Sequence, residues 1–537
     1  MSRALREVIA ATVAAGLLLV FAATASAGSA VVNGERMVTS EHSTITTTKL
    51  ANGAKRLKYT VGPFNVIPGQ NEIGYEPITE KPKVDGYITR MRPDLVYLDG
   101  RVPRVDVLHL HHGVWVNLSR PNTTNNLPEL FFAAGEEKTI FSLPKGYGYR
   151  YEASDGWLLN HMIHNLTPVA TRVMMVYEID FIPDTAPAAK NMKPARPIWM
   201  DVESGKLYPV FNVAKNSGKK NIFTYPTDDP NAYPTGNQRN AWVVDRPGVL
   251  LSTAGHLHPG GLHTDLWLQR EGAKVRAAKC GSLETAKAAK KCRLKSPRGR
   301  GSKVHLFESK AKYYEPAGAV SWDVAMTATR PDWKVQVKKG DVLTTTATYG
   351  TKRGAWWESM GIMVAYMADE GKGENPYKTR VDLPGKPTHG HLRENRNHGG
   401  KKTNLPDPRK LKDGVVNPGN IDILGFNYRI GDLRFPGMGG RPPVVTPGQS
   451  LTFVNQDTPK RVYHSITSCK APCNKSTGIA YPVANGPVQF ESGTLGDSRP
   501  ITTGQNSWST PRNLKAGTYT YFCRIHPFMR GAFRVKK

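Results

Sequence analysis

Tyr521-Phe522-Cys523-Arg524-Ile525-His526-Pro527-Phe528-Met529-Arg530-Gly531 places a thiol, an imidazole and a thioether within seven residues near the C-terminus. Upstream, His464 lies in the strand-like run Arg461-Val462-Tyr463-His464-Ser465-Ile466. Two His, one Cys and a weak axial Met are the ligands of a type 1, blue copper site. Donors a few residues apart on one tight loop can converge on a single ion, and a His from a neighbouring strand completes the set. Residues 518–522 read as a strand entering the loop and residues 531–535 as a strand leaving it. The expected ligands are therefore His464, Cys523, His526 and Met529.

With these residues in place, the chain resembles the cupredoxins, the amicyanin type most of all. That family's loop reads Cys-x-x-His-Pro-Phe-Met-Arg-Gly, and residues 523–531 match it. The resemblance covers about the last 110 residues. It implies a Greek-key β-sandwich over residues 419–537, holding one type 1 copper and carrying electrons. Two departures bear on the outer shell. Ser465 stands where many cupredoxins have Asn, and the segment between His464 and Cys523 is long, with Cys469 and Cys473 inside it. Cys523 is flanked by Phe522 and Arg524. The His-Cys-His wiring of multicopper oxidases is therefore missing, which disfavours them and nitrite-reductase-like chains.

A chain of 537 residues is too long for one core and implies about three domains. Forty Pro and 51 Gly imply many turns, so an all-β chain is expected. Arg3 and Arg6, an apolar stretch at 8–23 and Ala25-Ser26-Ala27 form a secretory signal over residues 1–27. A secreted or extracytoplasmic location follows, with cell-surface association as a variant. Five Cys suit an oxidising compartment. Cys280 with Cys292, and Cys469 with Cys473, are placed to pair, leaving Cys523 unpaired as a copper thiolate requires; spacing leaves the connectivity open. The net charge of +29 sits mostly in loops. In a secreted chain it argues against nucleic acid. It suits solvated surface or attraction to anionic cell-surface polymers.

Strand-like runs recur along the chain, with a Pro-rich joint near residues 183–197 and a periodless linker at 372–418 that carries His389, His391 and His398. Two further His constellations stand out. His111 and His112 are adjacent on an expected strand, with His109 before them. Neighbouring strand residues face opposite sides, so such a pair shares one metal only at a bulge or a strand end. His164, or His161, is the available partner. Later, Gly255-His256-Leu257-His258 puts two His on one strand face, and Met360 follows about a hundred residues on.

This layout resembles the copper type II, ascorbate-dependent monooxygenases, the peptidylglycine α-hydroxylating and dopamine β-monooxygenases, over about residues 40–370. The resemblance implies two jelly-roll domains, at 28–190 and 191–371, with a copper site in each across a solvent-filled cleft. His111, His112 and His164 would form the first site, and His256, His258 and Met360 the second. His263 and Met363 are the alternatives. The expectation is thus one type 1 copper and two further coppers. The cupredoxin exchanges electrons with an O₂-using hydroxylase module, served by a redox partner or small reductant. The alternative is a non-enzymatic extracellular copper carrier whose jelly rolls dock or store copper. Nothing in the sequence names a substrate or a catalytic residue.

Overall fold

Residues 55–66 alternate polar and apolar side chains, and they form the strand Lys55–Val66 with Leu57, Tyr59 and Val61 buried. The computed structural model describes residues 30–32, 35–37, 42–67, 73–103, 105, 107–206, 209–275, 297–314, 324–352, 356–388, 405–460, 462–473, 489–496, 505–526 and 528–537. Among these the chain is strand, turn and short 3-10 segments, with no α-helix, so the all-β expectation holds. The signal segment, the Cys280–Cys292 pair and His389, His391 and His398 lie outside the described residues.

The N-terminal sandwich packs two sheets face to face. Lys55–Val66, Thr171–Pro183 and Gly86–Tyr97 pair antiparallel in one. In the other, Ile73–Ile78, Trp157–Asn165, Leu108–Pro121 and Pro128–Gly135 lie side by side. Leu57, Tyr59, Trp115, Leu159 and Tyr177 fill the space between. Burying one such large side chain contributes roughly 2–3 kcal/mol.

The strand Lys193–Asp201 ties this sandwich to the next. Its start pairs parallel with Tyr147–Tyr151, and its remainder runs antiparallel to Gly361–Ala368, which also pairs with Gly248–Leu257. Val249, Leu251, Tyr366 and Ala368 belong to the first core. A second core gathers Ile198, Leu250, Leu266, Leu306, Leu343 and Met363.

The C-terminal sandwich has a three-stranded sheet (Asn420–Ile423, Thr452–Asn455, Ser507–Ser509) and a four-stranded sheet (Val444–Val445, Arg530–Val535, Gly517–Phe522, Thr467–Cys469). Cys469 and Cys473 form a disulfide, and Cys523 is free and buried.

One buried ionic network stabilises the second sandwich. His305 Nε2 donates to Asp265 Oδ1 at 2.7 Å and Nδ1 to Asp382 Oδ2 at 3.1 Å. Arg298 and Arg380 also hold Asp382. Burial pushes the imidazole down, but its two carboxylate partners outweigh this and leave His305 above its ordinary value. The folded pKa is raised, so the stabilisation is complete below the unfolded value of about 6.5. It is lost as pH rises through the folded value. His305→Gln should therefore cost about 3–5 kcal/mol at pH 6, and less in alkaline buffer. Thermal unfolding of both proteins across that range checks this; an equal deficit at every pH would refute it.

Candidate metal centres

Gly517–Phe522 and Arg530–Val535 stay paired down to Phe522 and Arg530, so residues 523–529 must turn back in one short loop. The Met529 N–H donates to the His526 carbonyl at 2.8 Å, and the Cys523 N–H to the Met529 carbonyl at 3.4 Å. His464 approaches from a neighbouring segment, its N–H donating to the Leu495 carbonyl at 3.3 Å. Cys523 Sγ lies 3.5 Å from His526 Nδ1 and 3.8 Å from His464 Nδ1, and the two Nδ1 atoms are 3.2 Å apart. Thiolate and imidazole donors about 2.0–2.3 Å from one ion have separations of this size. All three side chains are fully buried, and Met529 is buried in the same cluster.

The surroundings prepare the donors. Burial alone would raise the Cys523 thiol, but the adjacent His526 and His464 outweigh it and hold the thiol well below its usual range. The Ser465 N–H donates to Sγ at 3.3 Å, and Ser465 Oγ accepts from the Arg524 N–H at 2.9 Å. Ser465 thus ties the two ligand segments together despite not being Asn. Asp457 Oδ2 lies 3.1 Å from His464 Nε2 and accepts from the Phe426 N–H, while its Oδ1 accepts from the Gly425 N–H. A carboxylate on one ring nitrogen turns the other toward the metal position. Asp457 carries no motif; only its place in the turn before His464 hints at it.

The N-terminal imidazoles meet by means of a bulge. Opposite Trp157–Asn165, Met162 pairs with His112 and Ile163 with Leu110, so His111 is a surplus residue. Leu108 and Leu110 face the core, and so does Trp115. His112, Val114 and Val116 face the opposite way, lining a cavity. The extra residue brings His111 within 5.8 Å of His112, ring centre to ring centre. His164 lies 6.1 Å from His111 and 5.0 Å from His109. His161 instead packs edge-on against Phe64 at 4.7 Å; burial lowers it to about 3, a neutral core residue. Burial likewise lowers His109 and His112 to about 4, and His111, His164 and His258 well below their usual value.

His256 and His258 sit at the end of Gly248–Leu257, their rings 5.2 Å apart. The His258 ring is 4.8 Å from that of His111. The two expected sites are therefore in contact, and the solvent-filled cleft implied by the monooxygenase resemblance does not separate them. His256 faces the other way along the junction. Its Nδ1 is 3.0 Å from Glu137 Oε2. Burial lowers its pKa, but the Glu137 carboxylate prevails and brings it to about 9. Met360 packs with Trp199 and Ile362. With His112, Glu137 and His256 it lines a mainly apolar cavity of ≈ 390 Å³ walled by residues such as Leu130, Phe132, Trp199 and Ile362. The alternatives are elsewhere: Met363 is in the second core, and His263 pairs with Asp265 at 2.8 Å. Glu137 gave no signal in the sequence, where it looks like an ordinary acid after a strand.

The C-terminal loop docks on this cluster. The His526 ring is 6.4 Å from the His164 ring. The Arg524 guanidinium lies 5.6 Å over Trp356 and pairs with Glu491 at 3.2 Å. Gly260, at φ +93°, makes room for the Trp356 indole; a Cβ there would come within 2.4 Å of it. Glu358 is buried nearby and raised to about 8 by desolvation, which Arg524 partly offsets. Its carbonyl accepts from His258 Nδ1 at 2.5 Å.

No protein-family model matches the chain, and no curated protein matches its sequence. Among solved structures it is similar to a reduced Cu(I) amicyanin variant at pH 4, with 19% identity over 25% of this chain and 91% of that one, TM-score 0.14. Another reduced amicyanin variant gives 20% identity over 26% and 99%, TM-score 0.13. The copper-containing nitrite reductase of Thermus scotoductus SA-01 gives 10% identity over 93% and 99%, TM-score 0.15. The monooxygenase resemblance gains no support from these. At such values the ligand geometry alone carries the functional argument.

Proposed function

We propose that the chain is a copper-binding electron-transfer protein, exported from the cytoplasm, whose C-terminal type 1 centre exchanges electrons with histidine-bound copper in the N-terminal sandwiches. The convergence of Cys523, His464 and His526 onto one point carries this reading. A copper ion held there, with Met529 as a weak fourth ligand, supplies one-electron chemistry. The chain's own part is to keep the thiol ionised, fix the His464 tautomer through Asp457 and exclude water from the donors. Docking through Arg524 and His526 keeps donor and acceptor together, as a tether raises effective concentration.

An O₂-using hydroxylase is the finer form of this proposal. The apolar cavity beside His112, His256 and Met360 favours it, because a hydrocarbon substrate would find a dry pocket next to metal-binding side chains. The competing form is a carrier without chemistry. Metal analysis of the purified holoprotein, with electron paramagnetic resonance, separates them. More than one copper per chain, with a signal besides the type 1 spectrum, and O₂ uptake on adding ascorbate are expected. A single copper and no O₂ uptake would leave only the carrier.

A further inference from the structure

We propose that His263, Asp265 and Glu308 form a divalent-cation site of the zinc type on the second sandwich, apart from the copper-binding side chains. Nothing in the electron-transfer proposal bears on it, so the two stand or fall separately.

Strand pairing assembles the donors. In Gly261–Gln269, Thr264, Leu266 and Leu268 are buried, the two leucines in the second core. His263 and Asp265 alternate with them and so share the other face. Lys303–Tyr313 runs antiparallel alongside, with Glu308 directly opposite Asp265 and Lys310 opposite His263. Two acids opposite each other on one sheet face repel. A cation between them turns that repulsion into attraction. The ligand atoms of His263, Asp265 and Glu308 all lie within 4.8 Å of one another. Among the described residues, the His464, Cys523 and His526 set is the other that converges in this way.

Outer partners divide each carboxylate. Asp265 gives Oδ1 to the buried His305 at 2.7 Å and Oδ2 to His263 Nδ1 at 2.8 Å. Glu308 gives Oε1 to Lys310 Nζ at 2.9 Å, while Oε2 faces His263 Nδ1 at 4.0 Å. Two donors about 2.0–2.2 Å from one zinc are at most roughly 4.4 Å apart, and both separations from Nδ1 fall inside that limit. One oxygen of each acid is thus held from outside, and the other is turned toward the same imidazole nitrogen. Asp265 has little freedom to swing away, because Asp382, itself held by Arg298 and Arg380, fixes His305. Such outer partners orient ligating carboxylates in metal sites. An ion that displaces the Nδ1 proton would meet all three inward atoms.

The donor set names the ion. It lacks the sulfur that copper(I) prefers, and it includes an imidazole, which magnesium and calcium do not favour. One nitrogen with two carboxylate oxygens suits zinc, with copper(II) as its competitor. The side chains of His263 and Glu308 are 29% and 22% exposed, so water reaches the ion and completes its shell. Three protein donors and a water make the open arrangement in which zinc acts as a Lewis acid.

Zinc uptake by the full chain tests the site. Copper(I) is loaded first, filling the thiolate and imidazole centres, and the excess is removed. The chain should then bind one further zinc ion that millimolar magnesium does not displace. His263→Gln and Glu308→Gln should each weaken this binding more than roughly tenfold, since losing even an outer partner costs a metal site about that much. Asp265 is left intact because its loss would also break the His305 pair. Unchanged zinc affinity in either variant would overturn the proposal, as would displacement by magnesium. An absent type 1 band on reoxidation would count against the electron-transfer proposal alone. Should the variants misfold, X-ray absorption at the zinc edge of the unsubstituted chain decides. One nitrogen among oxygens is expected, and a shell of several imidazoles would refute the site.

Discussion

Cys523→Ser is expected to abolish the intense visible band at roughly 600 nm that a copper thiolate gives, while the chain stays folded. The two side chains differ by one atom, and the Ser465 N–H that now meets Sγ can meet a hydroxyl instead. What disappears is the charge. Two imidazoles hold the Cys523 thiol well below its usual range, and no comparable force ionises a serine. His464 and His526 remain in place through Asp457 and the loop, so weak metal binding without colour should survive. Reductant-driven turnover should fall at least roughly tenfold, about 1.4 kcal/mol or more on the limiting step. The histidine copper should stay bound. Undiminished turnover in a colourless protein would remove the C-terminal sandwich from the electron path.

Arg524→Glu should give the opposite pattern, with colour kept and coupling lost. The main-chain N–H of residue 524 holds Ser465 Oγ whatever its side chain. The guanidinium, by contrast, reaches Trp356 of the second sandwich and acts electrostatically on the buried Glu358, while pairing with Glu491, whose side chain is 3% exposed. A carboxylate there leaves Glu491 unpaired and adds a third acid beside two buried ones. Removing one member of a buried pair costs about 3–5 kcal/mol. Losing the cation–π contact over Trp356, worth about 2 kcal/mol when desolvated, shifts the docked state by more than about tenfold. Rapid-mixing reduction should show the type 1 band bleaching normally and the second copper pool filling at least tenfold more slowly. Equal rates in both proteins would show that Arg524 does not control docking.

The convergence of His464, Cys523 and His526 was legible because Cys523, His526 and Met529 fall within seven residues on a loop that two paired strands force to turn. Local spacing leaves such a loop few alternatives. All-β architecture followed from alternation in runs such as 55–66. The histidine junction was half legible. Each His could be nominated, and the need for a bulge at His111 could be stated, but a surplus residue leaves no mark in composition. The contact between His111 and His258 joins strands from different sandwiches, and pairing across such a distance depends on how whole sheets pack. Asp457, Glu137 and Arg524 stayed hidden for the same reason, since each acts on a residue far away in the chain or through an unremarkable turn.

The surplus residue at 111 makes the imidazole cluster separable from the architecture. Without it, Leu108, His109, Leu110, His112, Gly113, Val114 and Trp115 would alternate in perfect period-two order, every core side chain keeping its side. A one-codon deletion would thus erase the imidazole that touches His109, His112, His164 and His258 and regularise the strand in a single step. An ancestor or descendant lacking the His111 imidazole could share this scaffold nearly unchanged, and that one-residue difference in length would be its genetic trace.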